Sequence, residues 1–198
     1  MPLSEPSSDR ELLHTRWIEC QGFRRHDGMF DIEGRMTDRK TYDISRSDGG
    51  RSVTAGHQIH DMSIRLTVDD SLRVHAIEAI TDAAPFVICP QAIDAMQQVV
   101  GLKIGTGWTR AVKDLLGGAR GCTHLMELLS PIATTAYQTM TIVNWKKSDR
   151  LNDHGKPAKI DSCYSYQSSK EVVLKKWPAF FTGITTKPVL LQEKNPQP

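Results

Sequence analysis

The alternation of apolar and polar side chains in Ile59–Val68 constrains the fold of this chain more than any other feature. One set of side chains recurs at a period of two and is apolar apart from one imidazole: His60, Met62, Ile64, Leu66 and Val68. The intervening set is polar: Asp61, Ser63, Arg65 and Thr67. Because a β-strand points successive side chains to opposite faces, this segment is predicted to be a strand with one buried and one polar face.

The residues that follow predict a partner strand. Asp69–Ser71 suits a turn, and Leu72–Ile80 is predicted to return beside the first strand. In that return strand, Leu72, Val74 and Ala76 are predicted to share the apolar face.

Earlier segments extend the sheet. Two strands are predicted at Leu13–Glu19 and Met29–Arg35, separated by a turn that contains the Asp27-Gly28 pair. A further short strand is predicted near Tyr42. Together these segments predict an antiparallel meander of about four or five strands that begins with an N-terminal hairpin.

After Pro85 the apolar period becomes helical. The Cys89-Pro90 pair is predicted to open a helix that ends at Gly101, and a second helix is predicted at Thr109–Leu116. A third helix is predicted to start near Cys122, with Pro131 producing either a kink or a break. The predicted class is therefore α+β, an antiparallel meander followed by three helices packed on one face.

Length and charge narrow the function classes. The 198 residues predict a single domain over 1–198, with flexible tails at about 1–10 and 188–198. With 25 basic and 23 acidic residues, no strong field attracts nucleic acid or a membrane surface. No signal peptide or membrane span is recognisable, so a cytoplasmic location is expected. Four dispersed cysteines without a C-x-x-C pair argue against a disulfide framework.

The first candidate site is the segment Gly-Cys-Thr-His-Leu-Met-Glu-Leu-Leu (121–129), where a glycine-rich loop enters a helix. A helix N-terminus stabilises a thiolate, so Cys122 could act as a nucleophile or a soft metal ligand, with His124 beside it. Glu127 lies one turn further along. In the alternative interpretation Cys122 is a buried apolar residue, His124 a cap and Glu127 a solvated charge.

The second candidate site is the His60-Asp61 pair. An imidazole on the apolar side of a strand needs partners for its nitrogens, and a metal, a catalytic group or a core hydrogen bond would supply them. Asp61 points to the other face and could pair with Arg65. Asp82 follows the next strand, where it either converges with these groups or belongs to a turn.

A third cluster consists of charged residues on the N-terminal hairpin: Arg24, Arg25, His26, Asp27, Asp31, Glu33, Arg35 and Asp38. Such density is typical of a solvated sheet face with weak ion pairs. Asp31 and Glu33 share one side of a strand, however, and could bind a cation or act as an acid and base pair.

Most of the chain, from Arg25 to about Trp177, resembles an uncharacterised bacterial family that is known only as a domain of unknown function. Four segments carry the resemblance: Arg-His-Asp-Gly-Met-Phe-Asp-Ile-Glu-Gly-Arg (25–35), Ile-His-Asp-Met (59–62), the 121–129 segment and Ala-Thr-Thr-Ala-Tyr-Gln (133–138). This resemblance implies no established reaction.

A second likeness covers Ile59–Tyr137, which looks like the U-type iron–sulfur cluster scaffold proteins and implies their fold. Three segments carry it: Ile-His-Asp-Met-Ser-Ile-Arg-Leu-Thr-Val-Asp-Asp (59–70), Val-Gly-Leu-Lys (100–103) and Gly-Cys-Thr-His-Leu (121–125). His60 would replace the first cysteine, Asp61 would stand near the aspartate, and Cys122 would keep the third cysteine. The second cysteine falls around Asp82–Pro85, where none exists. Mixed N, O and S donors suit one zinc or iron ion better than an iron–sulfur cluster.

Two classes of function fit these features. The first is a small-molecule enzyme, a metal-assisted hydrolase or lyase. Its predicted metal ligands are His60, Asp61, Asp82 and Cys122, and its predicted catalytic residues are Cys122, His124 and Glu127. A metal-free variant makes Cys122 the nucleophile and a histidine its base. The second class is a non-catalytic metal or iron–sulfur carrier, or an accessory subunit of an enzyme complex, and either class allows a homo-oligomer.

Overall fold

A computed structural model describes residues 3–144, 151–152 and 155–184 of the chain. It divides into two compact units, Met1–Thr141 and Ile142–Pro198, here called unit one and unit two. Each unit is described by itself. The single domain over 1–198 stays a prediction, and the predicted tail at 188–198 lies outside the described residues.

Unit one is built on a four-stranded antiparallel sheet whose strands follow one another in chain order. The strands are β1 (His14–Arg24), β2 (Phe30–Lys40), β3 (Gln58–Val68) and β4 (Val74–Ala83). The predicted meander is confirmed. The strand predicted near Tyr42 is wrong, since that region of the described chain contains only an isolated bridge between Ile44 and Val53.

Strand β3 shows the predicted alternation. Four side chains on its apolar face are buried: Met62, Ile64, Leu66 and Val68. Arg65, on the other face, is exposed. This strand therefore divides the sheet into a face that packs on the core and a polar face.

The predicted phase of β4 is wrong after Val74. Thr67 pairs with Ala76 whereas Val68 pairs with Val74, so His75 is an extra residue on β4. Such a bulge reverses the alternation of the strand that carries it. As a result Ile77 is buried and Ala76 is exposed.

The helical segments of unit one lie where helices were predicted. A 3₁₀ helix, Cys89–Val99, replaces the first predicted α-helix. It is followed by α1 (Trp108–Leu116), a short 3₁₀ turn (Gly118–Arg120) and α2 (Thr123–Thr139). Helix α2 continues through Pro131 without a break.

Helix α2 packs on the apolar face of the sheet. Its buried side chains form one stripe: Leu125, Leu128, Leu129, Ile132, Ala133 and Ala136. The helix lies close to β2 at Gly34, where a Cβ atom would lie 2.6 Å from Cγ1 of Ile132. The missing side chain at Gly34 therefore allows α2 to lie directly against the sheet. Cys122 is the N-cap of this helix.

The remaining helices are short. Helix α3 spans Thr141–Asn144. In unit two, α4 spans Glu171–Lys176, and its Val173 is buried. Short 3₁₀ turns occur at Tyr164–Tyr166 and Pro178–Phe180. Within the described ranges, no helix combines the length and apolar composition that a bilayer crossing requires.

Candidate metal centre

Asp38 is the central residue of the site. The alternation of β2 places its carboxylate on the apolar face of the sheet, in phase with Ile32 and Met36, and only 3% of the residue is exposed. Asp38 is paired across the ladder with His60 of β3. Cross-strand partners on one face lie within contact distance, so strand pairing alone brings this carboxylate to the imidazole.

Four hydrogen bonds hold the Asp38 carboxylate. Oδ1 accepts from Arg16 Nε at 2.8 Å and lies 2.9 Å from His14 Nε2. Oδ2 accepts from Arg16 Nη2 at 2.9 Å and lies 2.9 Å from His60 Nδ1. Burial acts to raise the pKa of Asp38, but the hydrogen bonds from Arg16 and His14 outweigh it and hold this pKa well below its usual range. The carboxylate is therefore charged, although it is buried.

His124, in the first turn of α2, completes the cluster. Its Nε2 lies 4.0 Å from Asp38 Oδ2, and its ring centroid lies 3.7 Å from that of His60 with the planes tilted by 32°. Burial and the proximity of His124 lower the pKa of His60, against the opposing effect of Asp38. The sheet and the helix thus each contribute an imidazole beside one carboxylate.

The three side chains form a group of potential metal ligands. One donor atom from each of Asp38, His60 and His124 lies within 4.8 Å of the other two. Across the described ranges, no other histidine, cysteine, aspartate or glutamate residues form such a group of three. Two imidazole nitrogens and one carboxylate oxygen are a donor set that zinc and ferrous iron accept.

Cys122 lies next to this group. Its Sγ is 4.0 Å from His124 Nδ1, on the side of the ring away from Asp38. Burial acts to raise the pKa of the thiol, but the His124 ring and the backbone N–H groups at the start of α2 lower it by more, so the pKa lies below its ordinary value. Cys122 thus lies beside His124 as the sequence suggested, but it is not one of the three potential ligands, and its predicted roles stay predictions.

An open cleft of about 340 Å³ adjoins the group. His60, Cys122 and His124 are among the residues that line it. The cleft therefore gives small molecules access to two of the three donor residues and to the thiol.

Glu127 lies at the edge of the site and reaches it only through Arg16. Arg16 Nη1 donates to Glu127 Oε2 at 2.6 Å, while the other nitrogens of the same guanidinium bind Asp38. The Glu127 side chain is 56% exposed. Its carboxylate thus balances part of the charge of Arg16.

The structure does not bring Asp61 and Asp82 to His60. Asp61 points to the polar face, where Arg35 donates to both carboxylate oxygens at 2.8 and 2.7 Å. Asp82 is exposed and acts electrostatically on the same Arg35. Neither aspartate therefore belongs to the group formed by Asp38, His60 and His124.

Sequence reasoning placed Asp38 in a solvated charged cluster and missed its role. A signal was available, because the alternation of Phe30, Ile32, Gly34 and Met36 continues to Asp38. No comparable signal marks His14 and Arg16. Both residues lie on β1, an edge strand whose residues are almost all exposed. Neither of them therefore belongs to an alternating set of buried side chains that would mark a position facing the core.

Comparison with known proteins gives one match. The sequence profile of a family described as "Protein of unknown function (DUF2889)" matches residues 14–138. This range contains the whole sheet and every residue of the site. No curated protein and no solved structure matches the chain. The likeness to the U-type iron–sulfur scaffolds stays a prediction.

Proposed function

This chain belongs to the DUF2889 family of proteins of unknown function, and we propose that it is a metal-dependent enzyme of the hydrolase or lyase type that acts on a small molecule. The observation that supports the proposal is the convergence of Asp38, His60 and His124, from two strands and one helix, beside an open cleft. Perturbed ionisable groups gathered at a cleft are typical of active sites.

The distances in this group suit a small divalent ion. Donors bound at about 2.1 Å in tetrahedral geometry lie roughly 3.4 Å apart. Asp38 Oδ2 is 2.9 Å from His60 Nδ1 and 4.0 Å from His124 Nε2. The first separation is shorter and the second longer than the tetrahedral value. An ion bound there would replace the hydrogen bond between His60 and Asp38.

Three protein donors leave a coordination position for a reactant, which is the arrangement of catalytic rather than structural zinc sites. An ion held there supplies charge that polarises a carbonyl or lowers the pKa of water. The side chains of the site would hold that ion in position and balance its charge. Arg16 and His14 hold the Asp38 carboxylate in one orientation, and Glu127 partly neutralises Arg16. Cys122 lines the cleft beside His124, and its Sγ can accept or return a proton.

A metal-free cysteine enzyme is the second candidate. It is favoured by one observation, the half-buried Cys122 thiol whose pKa is lowered beside His124 Nδ1 at 4.0 Å. In that case Cys122 would attack the substrate and His124 would move the proton. A metal carrier without catalysis remains the alternative if an ion binds but no turnover is found.

Metal analysis of protein purified without chelator tests the proposal. We expect on the order of one zinc or iron ion per chain. The variants Asp38→Asn and His124→Ala should lose the ion while their circular dichroism spectra stay unchanged. The matched control is His75→Ala, because His75 is exposed and pairs with Asp69 in the turn after β3, at the end of that strand far from His60. Asp61→Asn should also keep the ion.

Two results would contradict the metal proposal. One is substoichiometric metal after incubation with zinc or with ferrous iron under anaerobic conditions. The other is equal retention of metal in the His124→Ala and His75→Ala variants. The alkylation rate of Cys122 by iodoacetamide at neutral pH would then decide the second candidate, since a rate equal to that of a free thiol excludes an activated cysteine.

A further inference from the structure

The lining of the cleft combines two kinds of side chain. His60, Cys122 and His124 present polar groups, whereas Met62, Pro85, Ile88 and Ala92 present hydrocarbon and are here called the apolar wall. Cys89, Gly121 and Thr123 also line the cleft. Neither a carboxylate nor a lysine or arginine side chain lines it. A ligand bound there would therefore meet both polar groups and hydrocarbon.

The apolar wall includes a side chain that is not buried by the protein. Ile88 is 66% exposed although it lines the cleft. A large aliphatic group left in water beside a set of polar donors is typical of ligand sites, where the ligand supplies the missing contact. Burial of a ligand's methylene groups against this wall removes apolar surface of both partners from water.

The size and charge of the cleft limit the ligand. At about 340 Å³ it lies at the small end of the usual range of ligand pockets, which is roughly 300–1,000 Å³. A charged tail would find no counter-ion among the lining residues. A short uncharged hydrocarbon tail fits both conditions.

We propose that the substrate of this site carries a short, uncharged apolar tail, which lies on Met62, Pro85, Ile88 and Ala92 and directs a polar reacting group to His124 and Cys122. This proposal rests on the proposed function in one respect, since that function makes the polar group of the ligand the group that reacts. The apolar subsite itself follows from the lining of the cleft and can be tested without a metal.

The test uses the full chain after chelator treatment and a series of N-alkylmaleimides from methyl to hexyl. The Cys122 thiolate adds to the maleimide double bond, and the resulting carbanion takes a proton from water. Peptide mass mapping gives the rate at each cysteine, and the exposed Cys163 serves as the internal reference for intrinsic reactivity. We expect the Cys122 to Cys163 rate ratio to rise by about twofold per added methylene, as for partial burial of the chain.

Two neighbouring residues provide matched variants. Ile88→Ser should flatten the dependence of the rate ratio on chain length, because it removes an exposed aliphatic side chain from the apolar wall. Val87→Ser should leave it unchanged, because Val87 is 93% exposed and does not line the cleft. Both positions are at the surface, so both variants should fold.

Three results would overturn the proposal. They are a rate ratio independent of chain length, equal effects of the two serine variants, and no reaction at Cys122 with any maleimide, which would mean that the cleft is closed to small molecules. A chain-length dependence in a protein that binds no metal would instead support the apolar subsite while contradicting the metal-dependent function.

Discussion

The buried carboxylate of Asp38 shows how one residue connects the sheet to the site. Arg16 is its principal charge partner, and the hydrogen bonds to Asp38 are the largest cause that raises the pKa of Arg16. A buried charge that loses its partner is destabilising, because the remaining charge has no compensation for its lost hydration. The main effect of the ion pair between Arg16 and Asp38 is therefore to compensate the charge of Asp38 inside the protein.

Arg16→Met tests this dependence. We expect the free energy of unfolding at pH 7 to fall by about 2 kcal/mol, less than for a fully buried pair, because Arg16 is partly exposed. Urea unfolding measures the change. The control is Arg110→Met. The Arg110 side chain is 89% exposed and its Nε lies 3.7 Å from Asp114 Oδ2, so this variant should change the free energy of unfolding by less than about 0.5 kcal/mol. If the two variants lower the free energy of unfolding equally, the contact between Arg16 and Asp38 stabilises the fold no more than an exposed ion pair does.

Some of the residues that meet at the candidate site could be predicted from the sequence, and others could not. His60, Cys122 and His124 were predicted, because an imidazole in an apolar face and a cysteine at a helix start are recognisable locally. Asp38 depends on strand pairing with β3, which brings together residues far apart in the chain. Asp61 is the opposite case: it is next to His60 in the sequence, but neighbours in a strand point to opposite faces, so its side chain does not reach the site.

The turn between β3 and β4 is organised by a single carboxylate. Asp69 Oδ1 accepts from Ser71 N at 2.8 Å, Ser71 Oγ at 2.7 Å and Arg73 N at 3.0 Å, and Oδ2 lies 2.8 Å from His75 Nε2. Burial acts to raise the pKa of Asp69, but these hydrogen bonds hold it well below its usual range. The turn is therefore stabilised by the charged form of Asp69.

Asp69→Asn should lower the free energy of unfolding by about 1 kcal/mol at pH 7. Because the pKa is lower in the folded than in the unfolded chain, the stabilisation is complete above the unfolded value of about 3.9 and is lost as the pH falls through the folded value. The difference between wild type and variant should therefore shrink between pH 5 and pH 2 in urea titrations. Asp114→Asn, at a side chain 69% exposed, is the control. A difference that stays constant with pH would contradict this account.

The contact between α2 and β2 depends on Gly34. An alanine Cβ there would lie 2.6 and 2.7 Å from Cγ1 and Cδ1 of Ile132. We expect Gly34→Ala to lower the free energy of unfolding by about 2 kcal/mol through overpacking. The combination with Ile132→Ala should be less destabilising than the sum of the single variants by about 1 kcal/mol. Strict additivity in urea unfolding would show that the two side chains do not meet.

At the element scale the sequence predicted most of unit one. The alternation in β3 and the helical stripe of α2 each depend on one local period, so they could be recognised without the structure. The phase of β4 could not, because the extra residue His75 is defined only by the pairing with β3. The 3₁₀ form of Cys89–Val99 was missed as well, since the apolar spacing of Ile93, Met96 and Val100 does not separate it from an α-helix.

For the molecule as a whole, all residues of the site lie in unit one, and so does the range matched by the family. We therefore expect unit one, residues 1–141, to fold without the rest of the chain and to bind metal if the full chain does. Far-UV circular dichroism with thermal unfolding, together with metal analysis, measures both properties. An aggregated or unfolded fragment would favour the prediction of a single domain over 1–198.

The protein itself holds the three potential ligands in place: Asp38 by three hydrogen bonds from Arg16 and His14, His60 by strand pairing and His124 by its place in α2. Binding to such a site orders few residues, in contrast to zinc fingers, in which binding and folding coincide. Calorimetric titration should therefore give a heat-capacity change close to zero. Protein treated with a chelator should therefore still melt cooperatively, and the proposed ion could be exchanged for another metal without unfolding of the chain.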